Sequence, residues 1–354
     1  MTNSVIKIYF IASIMFINSS FESFCSSPSS IEEKIISAFT EFPINTQFSI
    51  AIVDGEDVEY YGYIKHNDGV EPVNNKDKIF EIGSIAKVFT STLLAQLVED
   101  GKLYLTDNIN INYPFTFKNN INLKFIELAN HTSGLPRLPE NLDLLNEANP
   151  YKTYGKNEIN HYLQFIMSLK NEPSTTYTYS NLGGGLLGYT LGLSQNSNYN
   201  DLLENKILNK YNLKNTYTTI KGIENRLVSG LNAKGDIVSN WEFDVFTGSG
   251  GVLSTTYDLA RFAIAHFNQN DEVLSLTRKS TFKVNNDLEI GLGWHILKSD
   301  DDRKIFSHNG GTGGYTSSMS IDIDNNKAII ILTNATAFSS FSGKINDLLY
   351  QLLD

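Results

Sequence analysis

The order in which strand-like and helix-like patterns follow one another constrains the fold of this chain most. Strand patterns lie near both ends of the chain, and helical patterns predominate from about residue 92 to 245. The predicted strands are residues 47–53, 58–65, 288–297, 304–308, 315–323 and 327–333. The predicted helices are residues 31–40, 84–99, 158–169, 200–213, 339–353 and the segment after Asn181. An antiparallel sheet built from both ends of the chain and flanked by helices, with a helical insert on one side, accounts for this order.

This order predicts an α+β fold, an α/β sandwich with an added all-helical lobe. The sheet lobe is expected at about residues 31–91 and 246–354, and the helical lobe at about 92–245. A chain of 354 residues is long enough to bury a core across both lobes. A net charge of −11, with no block rich in lysine or arginine, disfavours a nucleic-acid partner.

The segment 80–87 places a serine hydroxyl one helical turn ahead of a lysine amine. Ser84 and Lys87 stand three residues apart, so they share one face of the predicted helix 84–99. A serine hydroxyl becomes a useful nucleophile when a nearby base accepts its proton, and a lysine can do so where its surroundings favour the neutral amine. The spacing therefore indicates an acylatable serine that needs no catalytic histidine.

The S-x-x-K spacing alone is weak evidence, because Ser4 and Ser280 also begin such a tetrad. Ser4 lies in an apparent export signal, and Ser280 follows a charged run typical of a solvated segment. Ser84 alone begins an apolar helical pattern, although a serine at that position is also a common helix N-cap.

A second segment combines a tyrosine with an asparagine. Among eighteen tyrosines, Tyr179 alone begins a Y-x-N tripeptide, which ends at Asn181. A phenol beside a lysine can share proton transfer, and an asparagine amide can orient a substrate. The alternative is a core tyrosine in front of a glycine-rich helix, which is the commoner situation.

A third segment, residues 305–315, is an apolar strand that runs into glycines. Glycines at 310 and 311 would let a substrate backbone lie against the strand edge, and the N–H of Gly311 is a candidate oxyanion donor. His308 by itself is more typical of a structural histidine. The segment lacks the phosphate-loop and dinucleotide fingerprints, and the six histidines show no paired ligand spacing. We therefore predict no cofactor and no metal.

Taken in order, the three segments resemble the motifs of the serine β-lactamase and penicillin-binding superfamily. Tyr179 and Asn181 resemble the Y-x-N form of the class C enzymes and of their carboxypeptidase and esterase relatives. Further similar stretches are residues 128–136, 250–255 and 291–294, and the likeness extends from about residue 48 to the C-terminus.

The resemblance implies a β-lactamase/DD-peptidase-like fold with a cleft between two lobes. It implies catalytic roles for Ser84, Lys87 and Tyr179. It also implies substrate-binding roles for four further residues, which are Asn181, His308, Gly310 and Gly311. Substrate choice is expected to depend on loops at residues 136–154 and 232–246.

The third motif departs from the class C pattern, because His308, Asn309 and Gly310 stand where those enzymes have Lys-Thr-Gly. Histidine is mostly neutral near pH 7, whereas lysine is a cation that can hold a substrate carboxylate, so we do not expect strong β-lactamase activity. The expected substrate is a small molecule or a peptidoglycan-derived peptide of the D-Ala-D-Ala or β-lactam type. Alternatives are an esterase or D-aminopeptidase of the same fold, a penicillin-binding or peptidoglycan-sensing protein that does not turn over, and a relative with only a structural role.

The N-terminus resembles a signal peptide, predicted at residues 1–25. Lys7 precedes a mostly apolar run of ten residues, 8–17, which is too short for a membrane span. Cys25 is the only cysteine, and the residues before it poorly match a lipoprotein site. We therefore expect an exported protein, periplasmic or secreted, without an internal disulfide. The sequence leaves the oligomeric state open.

Overall fold

The computed structural model describes residues 31–144, 146, 148–299 and 301–353. The predicted signal peptide at 1–25, with Cys25, lies outside these residues. Within the described part of the chain, no helix combines the length and the apolar character needed to cross a lipid bilayer.

The framework of the fold is an antiparallel sheet with nine strands among the described residues, in the order β3–β2–β1–β11–β10–β9–β8–β7–β6. A separate short pair joins β4 to β5. The strands are β1 (Gln47–Asp54), β2 (Asp57–His66), β3 (Gly69–Pro72), β4 (Phe80–Glu81), β5 (Leu253–Ser254), β6 (Phe282–Lys283), β7 (Leu288–Ile290), β8 (His295–Lys298), β9 (Lys304–Gly311), β10 (Thr316–Asp322) and β11 (Lys327–Thr333).

Strands from the two ends of the chain are neighbours in the interior of the sheet. Strand β1 pairs with β11, with Ile50 opposite Ile331. Residues of β11 alternate between two buried apolar clusters, with Ile331 on one face and Ile330 on the other. A strand buried on both faces reads as a continuous apolar run, as the sequence of β11 does. The predicted antiparallel sheet flanked by helices is therefore confirmed.

Helices cover both faces of this sheet. They are α1 (Ile31–Ala38), α2 (Ala86–Glu99), α3 (Phe125–Ala129), α4 (Lys156–His161), α5 (Asn181–Ser194), α6 (Tyr199–Leu203), α7 (Thr247–Gly250), α8 (Thr256–Phe267), α9 (Glu272–Arg278) and α10 (Gly343–Leu353). Helices α1 and α10 contribute Ile35, Ile345 and Leu349 to one cluster, and α2 and α8 contribute Phe89 and Phe262 to the other.

Helix α2 lies at the centre of the molecule. Eleven of its fourteen residues are buried, because it packs among other helices along most of its length, and the three others lie at its C-terminal end. The cluster that surrounds it also includes Ala51 of β1 and Leu186 of α5, so one continuous core connects the sheet with the helical segment. The lobe boundaries at about 92 and 245 stay a prediction.

Several predicted elements differ from the observed ones. The predicted strand 288–297 is two strands, β7 and β8, because the chain reverses through a turn in which Gly293 has φ +74°. The predicted helix 200–213 passes from α6 into a π-helical turn at Glu204–Leu208. The chain then leaves the helical path at Asn212, which has φ +56°, and the Leu213 N–H donates to the Leu208 carbonyl. The predicted helix 158–169 likewise ends early, because α4 passes into a π-helical turn at Tyr162–Ile166.

Candidate active site

Ser84 lies at the junction between strand β4 and helix α2. It occupies a 3₁₀ turn, Gly83–Ile85, so the α-helix begins two residues after Ser84 and not at it as predicted. Gly83 has φ +48°, and a Cβ there would lie 2.4 Å from the backbone nitrogen of Gly311. The sharp turn and the absence of a side chain at position 83 bring Ser84, which is partly exposed, against the end of β9.

Lys87 reaches Ser84 from the first turn of α2. Its Nζ lies 3.0 Å from Ser84 Oγ, 2.9 Å from Asn181 Oδ1 and 2.7 Å from the carbonyl oxygen of Ser249. Burial, with a smaller contribution from the positive charge of Arg137, holds the pKa of Lys87 well below its usual range. A neutral amine has two N–H donors and one lone pair. Asn181 Oδ1 and the Ser249 carbonyl oxygen can accept hydrogen bonds from the two N–H groups. The lone pair of the amine is then left to accept from the hydroxyl of Ser84.

Tyr179 provides a phenol next to the same hydroxyl. Burial raises the pKa of Tyr179 to about 12, and a hydrogen bond with Ser84 partly offsets the shift. Lys87 Nζ lies 4.9 Å from the centroid of the Tyr179 ring. The next residue, Ser180, caps α5 by accepting from the N–H of Gly183, which fixes the backbone at Tyr179.

Asn181 is the first residue of α5. Besides accepting from Lys87 Nζ, its amide hydrogen-bonds the buried phenol of Tyr151. These two partners fix the orientation of the amide, with its oxygen toward the amine and its other end toward the loop that carries Tyr151.

His308 lies in β9 and is buried. Its Nδ1 lies 2.6 Å from the carbonyl oxygen of Asn309, which can only accept, so Nδ1 carries the proton and Nε2 is left as an acceptor. Burial and the nearby His295 and Lys87 hold the pKa of His308 well below its usual range. Residue 308 is therefore a neutral hydrogen-bonding group near pH 7.

Gly310 and Gly311 bring the backbone of β9 against the serine turn. A Cβ at Gly310 would lie 2.1 Å from the Ile82 carbonyl oxygen and 2.8 Å from the Ser84 nitrogen. The N–H groups of Ser84 and Gly311 belong to these two touching segments. Closeness of two backbone N–H groups is one requirement of a two-donor oxyanion hole.

Comparison with known proteins identifies the family. A family model described as Beta-lactamase matches residues 44–352. The chain belongs to the Beta-lactamase family. The resemblance drawn from the three motifs is thereby confirmed.

The relatives of this family member include peptidases and β-lactamases. The D-alanyl-D-alanine-carboxypeptidase/endopeptidase AmpH of Escherichia coli K12 is 26% identical over 333 residues, covering 87% of this chain and 85% of that protein. Penicillin-binding protein 4* of Bacillus subtilis is 25% identical over 319 residues, covering 81% and 67%. A solved class C β-lactamase superposes with a TM-score of 0.77 at 20% identity, covering 91% of this chain and 94% of that one, which shows a common fold.

The site of this Beta-lactamase family member includes groups that the motifs did not reveal. Arg137 places its guanidinium carbon 5.2 Å from the centroid of the Tyr179 ring, and Tyr151 contacts Asn181. His295 contacts the hydroxyl of Tyr177 through Nε2 at 2.8 Å, and burial together with Lys87 lowers the pKa of His295 to about 4. Arg137 directly follows the stretch 128–136, so proximity to that stretch was the available signal. Ser249, whose carbonyl accepts from Lys87, likewise directly precedes the similar stretch 250–255.

Within the described residues, no cluster of three or more histidine, cysteine, aspartate or glutamate side chains could hold a metal ion.

Proposed function

We propose that this protein is a serine hydrolase that forms an acyl-enzyme on Ser84. The observation that carries the proposal is the amine of Lys87, whose two N–H donors face fixed acceptors while its lone pair faces Ser84 Oγ at 3.0 Å. Membership of the Beta-lactamase family, whose members include serine β-lactamases and D-Ala-D-Ala carboxypeptidases, supports the same chemistry.

In the proposed mechanism, the Ser84 hydroxyl attacks the substrate carbonyl as its proton passes to Lys87. The N–H groups of Ser84 and Gly311 stabilise the oxyanion of the tetrahedral intermediate. Tyr179, whose pKa is raised to about 12, stays protonated and relays a proton to the leaving group. Water then hydrolyses the ester on Ser84, with the same groups acting in reverse.

The substrates we propose are D-Ala-D-Ala-type peptides and β-lactams. Support comes from the names of the relatives, a D-alanyl-D-alanine-carboxypeptidase and a penicillin-binding protein. Asn181 is proposed to orient the substrate amide. His308 is proposed to accept a hydrogen bond or assist proton transfer, because its neutral ring is poorly suited to hold a carboxylate by charge.

An intact-mass time course tests this proposal. The protein is incubated separately with a penicillin, a D-Ala-D-Ala peptide and an activated ester, beside a Ser84→Ala control. We expect a mass increase equal to the acyl group in the unmodified protein, located at Ser84, and none in the control. Rapid loss of the adduct indicates a hydrolase, and a persistent adduct indicates the alternative of a penicillin-binding sensor. Equal labelling of both proteins would contradict the proposal.

The pH dependence of acylation should report on Lys87. The amine accepts a proton only when neutral, so the rate falls about tenfold per pH unit below its pKa and is constant above it. Because this pKa is lowered well below 10.5, the plateau should begin well below that pH. Since Tyr179 titrates at about 12, no decline is expected up to about pH 10. Measuring kcat/KM for a neutral ester between about pH 5 and 10 checks this. A rate still rising at the upper limit would show that Lys87 is an ordinary cation.

Export to the periplasm or medium, with cleavage of residues 1–25, stays a prediction that N-terminal sequencing of the mature protein would check.

A further inference from the structure

We infer that Arg137 is a specificity-determining residue that binds a carboxylate of the substrate. This inference rests on the proposed function and concerns which acyl compounds the site accepts. A cation at residue 308, in the third motif, could bind a substrate carboxylate. Because His308 is neutral, we assign this role to Arg137.

The backbone of Arg137 is fixed against the N-terminus of α5. Its carbonyl oxygen accepts from the N–H of Asn181 at 3.0 Å and from the N–H of Leu182 at 3.1 Å. The preceding carbonyl, of Pro136, accepts from Ser180 Oγ at 2.7 Å. Arg137 therefore belongs to the same rigid unit as the Y-x-N segment, although it comes from the 136–154 loop.

The side chain of Arg137 extends over the phenol of Tyr179. Its guanidinium carbon lies 5.2 Å from the ring centroid, within the range of a cation–π contact. The positive charge of Arg137 also contributes, after burial, to lowering the pKa of Lys87. The same ring centroid lies 4.9 Å from Lys87 Nζ, which contacts Ser84 Oγ at 3.0 Å, so the guanidinium and the nucleophile lie around one phenol.

The other basic groups around Tyr179 are all shifted toward their neutral forms. Burial lowers the pKa of each of them, which are Lys87, His131, His295 and His308. A guanidinium keeps its charge under the same conditions and presents a planar pair of donors that matches a carboxylate. Arg137 is thus the residue in this group whose chemistry suits an anionic substrate.

Two matched substrate pairs test the inference, each differing in one carboxylate. The first pair is the p-nitrophenyl monoester of glutaric acid and the neutral p-nitrophenyl pentanoate, which differ on the acyl side. The second pair is benzylpenicillin and its methyl ester, which differ beyond the scissile bond. The readout is the ratio of acylation rates, anionic over neutral, because a change in the basicity of Lys87 affects both members of a pair and cancels.

We expect Arg137→Gln to lower this ratio about 10- to 100-fold in at least one pair, and Arg137→Lys to lower it less. Lys102→Gln is the control, because it removes an exposed cation that lies outside both loops expected to influence substrate choice. The control should leave both ratios unchanged. The pair that responds identifies the side of the substrate that Arg137 contacts.

Ratios that are unchanged in Arg137→Gln for both pairs would overturn the inference, even if all four rates fell together. If no substrate acylates Ser84, the proposed function fails separately. The measurement is then the ratio of dissociation constants for benzylpenicillin and its methyl ester. It is compared between the Ser84→Ala variant and the double variant that also carries Arg137→Gln. Tighter binding of the acid that depends on Arg137 supports the inference, and equal binding contradicts it.

Discussion

Replacing Lys87 by methionine should reduce the acylation rate at Ser84 by about 10³-fold or more, while the protein stays folded. Methionine keeps a similar apolar stem in the buried channel but has no amine to accept the proton of Ser84. The loss falls on the chemical step, so it should appear in the rate of adduct formation by intact mass and not only in turnover.

The stability of the Lys87→Met variant should change by no more than about 2 kcal/mol, because two opposing effects accompany the substitution. Asn181 Oδ1 and the Ser249 carbonyl lose a donor, but a buried amine is replaced by an apolar group of similar size. Lys102→Met, at an exposed lysine just beyond α2, is the matched control and should leave acylation unchanged. Full acylation by Lys87→Met, with a normal melting temperature, would require another base and would refute the assignment.

Replacing Gly310 by alanine should reduce acylation about 10²-fold and lower the melting temperature. The added Cβ would lie 2.1 Å from the Ile82 carbonyl oxygen and 2.8 Å from the Ser84 nitrogen, and both are backbone atoms that cannot rotate away. Either β9 or the serine turn must move, and a displacement of about 1 Å at the nucleophile is enough for a rate loss of this size. Overpacking of this kind costs about 1–3 kcal/mol of stability.

Gly343→Ala provides the control for this prediction. A Cβ at Gly343, the first residue of α10, would meet no atom within 4 Å, so the Gly343→Ala variant should acylate at the normal rate and melt at the same or a slightly higher temperature. Both variants can be followed by thermal unfolding and by the intact-mass assay. A Gly310→Ala variant that acylates at the normal rate would show that β9 does not form one side of the reacting site.

The proposed chemistry depends on keeping basic side chains uncharged. Lys87 is buried between α2, α5 and the carbonyl of Ser249, where a positive charge would lose its hydration. The histidines at 131, 295 and 308 are neutral for the same reason, and their ring hydrogen bonds position them as fixed dipoles. The guanidinium carbon of Arg137 lies 5.2 Å from the centroid of the Tyr179 ring, and a planar guanidinium matches a carboxylate, which is why we assign to it the recognition of an anion.

Local sequence patterns predicted much of the fold. The ends of strands β1, β2 and β11 were predicted to within one residue. Alternating apolar and polar residues, or a run of β-branched residues, indicate which side chains of a strand are buried. The missed helix α8 carried a signal that could have been used, since Thr255 caps it by accepting from the N–H of Asp258. The break between β7 and β8 depends on a positive φ at Gly293, and an apolar run alone does not reveal such a turn.

The sequence by itself determined the residue types and the order of the three motifs, and with them the family. Ser84 and Lys87 are neighbours through helical spacing, which is a local property. Only the tertiary structure decided what lies against them: the Ser249 carbonyl, the phenol of Tyr151 and the guanidinium of Arg137 come from distant segments. It also decided the charge states, because a pKa depends on how completely packing removes water from a group, and no local pattern of residues records that.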